Sequence, residues 1–156
     1  MKKLIPFIFM AMYLLLTGNA LAATSAPARN IAVEEANRKL VLEFYDRFFN
    51  RHETISAAKV IANNYRQHNP GVPDGKAPFV TFFTDYFRDN PQSRVRIVRS
   101  AAHGDLVWLQ IHSTNGSKDR GQAVIDIFRV DKGKIVEHWD VIQDVPEKSS
   151  NNNTMF

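Results

Sequence analysis

The 156-residue chain contains no cysteine. Disulfides, thiolate metal centres and a lipid-modified N-terminal cysteine are therefore excluded, and the core alone must hold the fold. A long apolar run is also missing. The stretch Leu4 to Leu16 spans 13 residues, short of the roughly 20 that a helix needs to cross a bilayer. Glycine-rich phosphate loops and a serine nucleophile elbow are absent, which removes two common routes to phosphoryl and acyl transfer. Basic residues do not gather into a run. Arg94, Arg96 and Arg99 are spread out without interleaved aromatics, so the sequence offers no nucleic-acid surface.

What is present begins with an export leader. Lys2-Lys3 precede the apolar run, and Ala20-Leu21-Ala22 forms a small-x-small cleavage site. This predicts a signal peptide over residues 1–22, an exported protein (periplasmic or secreted) and no stable membrane anchor after cleavage. Part of the formal charge of +4 belongs to Lys2 and Lys3, and the mature chain carries +2. About 134 residues remain, enough for one domain with one core. A linker over 23–30 leads to a domain over 31–145, and the polar tail 146–156 is expected to be disordered.

Three amphipathic helices come first. Val33, Ala36, Leu40, Phe44 and Phe48 recur at helical spacing between Ile31 and Asn50. A shorter helix is expected over Thr54–Ala62, with Thr54 as its N-cap. Tyr65 to Gly71 then reads as a brief extended piece ending in a turn. Phe79, Phe82, Phe83, Tyr86 and Phe87 give an aromatic helical stripe between Ala77 and Asn90, stopped by Pro91. From Ser93 onward the period changes to two. Four strands over 95–102, 106–114, 122–130 and 134–143 form an antiparallel meander. Helices followed by strands imply an α+β fold, a cone with helices packed on one face of a curved antiparallel sheet, and a cavity between them as the default ligand site.

The chemistry concentrates in the hairpin Val107–Phe128. A turn centred near Asp119 would set His112 opposite Asp126, within reach across the strands. Asp126 lies between Ile125 and Ile127, where a poorly solvated carboxylate suits a general base. A two-residue turn at Lys132-Gly133 would set Trp139 opposite Asp126, and would send His138 and Asp140 to the other face. Trp139 would then wall the ligand, or else serve as a core tryptophan. Trp108 shares the parity of His112 and could also reach the cavity.

Three pieces together resemble the SnoaL-like branch of the NTF2-like superfamily: Tyr65-x-x-His68-Asn69-Pro70, the His112/Asp126 hairpin, and Gly133-Lys134-Ile135-Val136-Glu137-His138-Trp139-Asp140-Val141. Within that branch the chain is most similar to proteins described as SnoaL-like aldol-condensation-catalysing enzymes. The resemblance implies an NTF2-like cone, a homodimer, no cofactor, and an aspartate that takes a proton beside a carbonyl. By motif those catalytic roles fall on Asp126 and His112, and the ligand is a small hydrophobic carbonyl compound.

The other candidates carry two readings each. His68 and Asn69 could line the cone mouth and supply an oxyanion donor, or Asn69 could cap its own turn. Tyr65 belongs to the same motif. Phe82 and Phe83 serve the core, the ligand wall or both. His68, His112 and His138 lack the i, i+4 spacing of a helical zinc motif, so no metal site is expected. A non-catalytic ligand-binding or dimerisation module is the alternative function on the same fold.

Overall fold

The computed structural model describes residues 28–156; the proposed leader and most of the linker lie outside the described residues. Helix α1 spans Ile31–Tyr45 and runs on into a π-helical turn at Asp46–Asn50. The wider turn brings Tyr45, Phe48 and Phe49 to the same side, with the Tyr45 and Phe49 rings 4.4 Å apart. Helix α2 is only Thr54–Ala57, followed by a 3₁₀ turn at Ala58–Val60. The expected second helix thus stops early. Ile61–Gln67 is strand β1, of which the sequence revealed only the end.

Helix α3 spans Lys76–Asp89, with Pro78 in its first turn, where backbone N–H groups need no helical partner. Strands β2 (Ser93–His103), β3 (Leu106–Asn115), β4 (Gln122–Asp131) and β5 (Lys134–Asp144) form the expected meander. β1 adds to it in parallel beside β5, giving a five-stranded sheet of order β1-β5-β4-β3-β2. The fold is the α+β cone expected from the order of elements, helices on one face of a curved sheet.

Val107, Leu109 and Ile111 of β3 are fully buried on the helix-facing side. Beneath the helices, Phe48 stacks on Phe79 at 5.0 Å and meets Phe44 at 5.1 Å, welding α1 to α3. At the far end, Glu34 in the first turn of α1 is buried. Arg29 donates to it from 3.0 Å, and so does the backbone N–H of Gly104 in the β2–β3 turn. The Arg29 hydrogen bond, and then that N–H, hold its carboxyl down at about 2. The tail after Pro146 carries no helix or strand. Its last residues nevertheless rest on the outer face of the sheet, where Phe156 stacks on His112 at 4.2 Å and Gln110 donates to the Met155 carbonyl.

Candidate active site

Two shifts in strand register decide what reaches the cavity. In the β3–β4 hairpin, His112 pairs with Ala123 and Asp126 pairs with Leu109. Asp119 accepts from the N–H groups of both Asn115 and Gly121, folding the loop tip back. Gly121 has φ +75° and passes so close that an added Cβ would sit 2.0 Å from the Ser113 carbonyl. The turn therefore closes three residues away from the expected pairing, an odd shift that puts His112 and Asp126 on opposite faces. His112 lies outside, against the Arg120 carbonyl and Phe156. The expected His112–Asp126 contact does not exist.

The second shift is in β5. The Lys132-Gly133 turn is the two-residue hairpin expected, both residues at positive φ (47° and 72°). Beyond it Val130 pairs with Ile135 but Arg129 pairs with Glu137, so Val136 is a β-bulge. The extra residue reverses parity. Trp139 faces outward opposite Ile127, stacked on His68 at 4.8 Å, with the Arg129 guanidinium 5.5 Å from its ring centroid. His138 and Asp140 turn inward beside Asp126. The expectation that they lie on the other face, and that Trp139 sits opposite Asp126 as a ligand wall, is corrected by this one bulge. Trp108, opposite Ile127, is on the outer face as well.

Inside, a cavity of about 300 Å³ opens between α3 and the concave face of the sheet. Asp126 is 4% exposed and His138 7%. Tyr45 Oη donates to Asp126 Oδ2 at 2.8 Å, and His138 Nε2 lies 2.7 Å from Asp126 Oδ1. Asp140, paired with Asp126 across the strands, accepts from Asn69 Nδ2 at 2.6 Å. Gln67, from the end of β1, bridges His138 and Tyr65. Burial, then the Asp126 charge, push the Tyr45 phenol well above its ordinary 10, and the same causes raise that of Tyr65. Both phenols stay protonated and can serve as donors.

Of the residues expected from sequence, Asp126, Tyr65, Asn69, Phe82 and Phe83 line the cavity. His112, Trp108 and Trp139 do not. His68 is displaced too, donating through Nε2 to Glu137 Oε1 at 2.8 Å on the outer side. Tyr45, Gln67, His138 and Asp140 were missed. Asp126, His138 and Asp140 offer three potential ligand atoms within 4.8 Å of one another. Both imidazole nitrogens are already engaged, by Asp126 and Gln67, so a cation would have to displace one of those bonds.

A helix-capped, curved and mostly antiparallel sheet with a buried acid lining an aromatic cavity defines an NTF2-like cone. Residues 39–148 match the family model of the SnoaL-like polyketide cyclases, and the chain belongs to that family. Solved structures agree on the fold. A candidate ketosteroid isomerase from Kribbella flavida superposes with a TM-score of 0.62 at 18% identity, covering 79% of this chain and 89% of that one. A candidate polyketide cyclase from Bacillus cereus gives 0.58 at 21% identity, over 69% and 74%. An NTF2-like protein of unknown function from Cytophaga hutchinsonii gives 0.57 at 17%, over 69% and 89%. No curated protein matches the chain.

Proposed function

We propose that the chain is a cofactor-independent enzyme that removes a proton alpha to a carbonyl in a small hydrophobic substrate. The enolate formed would go on to aldol condensation, cyclisation or isomerisation. The observation that carries this reading is the buried Asp126, held by two directed hydrogen bonds at the floor of an aromatic cavity. A carboxylate has about four lone-pair sites, so Tyr45 and His138 leave capacity for a carbon-bound proton. The C–H electron pair becomes the C=C bond of the enolate, the carbonyl π pair moves to oxygen, and Asp126 holds the proton. Tyr65, protonated and lining the cavity, donates to the enolate oxygen. The family and its polyketide cyclase and ketosteroid isomerase neighbours support this class of chemistry.

The leader supports an exported enzyme, acting outside the cytoplasm. A homodimer through the outer sheet face is part of the same proposal. Ile125 and Val141 are paired there and exposed by 42% and 72%, an apolar couple suited to burial against a second copy.

Deuterium uptake from D₂O into the α-carbon of 2-tetralone, followed by NMR, tests the reaction without knowledge of the natural substrate. Uptake well above the buffer rate, reduced by Tyr65→Phe, is expected. A wild-type rate equal to buffer would refute the proposal.

A further inference from the structure

Gln67 has a fixed orientation. The backbone N–H of Asn69 can only donate, and it meets Gln67 Oε1 at 3.0 Å. The atom at that position is therefore the amide oxygen. His138 Nδ1 meets the same oxygen at 2.8 Å, so Nδ1 carries a hydrogen. A neutral His138 then has its lone pair on Nε2, the nitrogen 2.7 Å from Asp126 Oδ1. One proton occupies that line, either as imidazolium against carboxylate or as carboxylic acid against neutral imidazole. At its other end the amide donates through Nε2 to Tyr65 Oη at 3.2 Å. The phenol oxygen is thus an acceptor toward Gln67, and its own proton is left to point into the cavity.

We infer that Gln67 is a positioning residue that sets two hydrogens at once: the Nδ1–H tautomer of His138 and the direction of the Tyr65 O–H. Gln67 and His138 are both buried, which limits the access of water to these bonds. The amide is planar and its two ends are of opposite hydrogen-bonding character, which makes the two settings inseparable. The base end of the site and the donor end are coupled through one side chain. The catalytic consequence depends on Asp126 acting as base and Tyr65 as donor; the placement of the hydrogens does not.

Gln67→Glu separates the two settings with little change of shape. The introduced carboxylate still accepts from Asn69 and His138, but it also accepts from Tyr65 and draws the O–H out of the cavity. Gln67→Met removes both settings. Full-chain protein labelled with ¹⁵N-histidine, its signals assigned with His138→Gln, reports the tautomer by long-range ¹H–¹⁵N correlation. The wild type is expected to show a protonated Nδ1 on His138 at every pH where the chain is folded, Gln67→Glu the same, and Gln67→Met a mixture. An unprotonated Nδ1 in the wild type would overturn the inference.

With 2-tetralone, Gln67→Glu is expected to lower kcat roughly 10-fold or more with KM little changed, and Tyr65→Phe to add little in that background. Fully multiplicative losses would overturn the coupling to Tyr65. If Asp126→Asn leaves exchange unaltered while Nδ1 stays protonated, the catalytic reading fails and the tautomer assignment stands.

Discussion

His138 Nε2 lies 2.7 Å from Asp126 Oδ1, although the two strands carry these residues out of step: Phe128 is the residue directly opposite His138. The contact is diagonal, and it exists only because the Val136 bulge turns His138 inward. Both groups are buried, so the pair is an energetic unit as well as a chemical one. Removing one partner takes a buried polar bond from the other, leaving Asp126 with Tyr45 alone or His138 with Gln67 alone.

A double-mutant cycle measures that unit. His138→Phe is expected to cost about 3 kcal/mol in urea unfolding, since it leaves a buried carboxylate with Tyr45 as its one remaining donor. In an Asp126→Leu background the same change is expected to cost much less. Equal costs in both backgrounds would mean the two residues do not interact.

The aromatic joint between α1 and α3 gives a second expectation. Phe48 is fully buried between Phe44 and Phe79. Phe48→Ala is expected to lower unfolding stability by about 3–5 kcal/mol, transfer and cavity terms together. Chemical denaturation followed by circular dichroism checks it.

Glu34 makes stability depend on pH. Its folded carboxyl titrates at about 2 against an ordinary 4.5, so the folded state binds its proton more weakly than the unfolded state. The stabilisation is complete above pH 4.5 and is lost as pH falls toward 2. Glu34→Gln should lower the Tm at pH 7, and the gap to wild type should close across that acidic range. A gap that stays constant with pH would contradict the assignment.

Much of the fold was legible because periodicity reports burial. The stripe from Phe79 to Phe87 and the alternation in β3 and β4 follow directly from which face each element hides. Asp126 was legible for the same reason, as an acid between apolar neighbours. Its partners were not. A seven-residue loop such as Asn115–Gly121 leaves register open, and a single bulge at Val136 inverts every side chain beyond it while leaving the alternation of Glu137, His138, Trp139 and Asp140 unchanged. Gln67 was hidden differently. β1 buries Ile61, Tyr65 and Gln67 but exposes much between them, with a register break on β5, so its pattern is not that of a strand. Tyr45 sits within an apolar helical stripe, and spacing alone cannot distinguish its hydroxyl's task from packing.

The outer face carries the proposal of a dimer. Val141→Asp sets a charge in the middle of the Ile125–Val141 patch, and like charges would then meet across a two-fold interface. Sedimentation equilibrium at micromolar concentration should show wild type at twice the chain mass and the variant at the chain mass. A monomeric wild type would contradict the proposal.

The most direct test of the account is the rate of α-deuterium uptake by 2-tetralone in the Asp126→Asn variant, with circular dichroism showing the fold retained. An amide of the same shape keeps the pocket but cannot take up the proton, so the rate should fall by about 10²-fold or more. A variant that exchanges as fast as wild type would show that Asp126 is not the base.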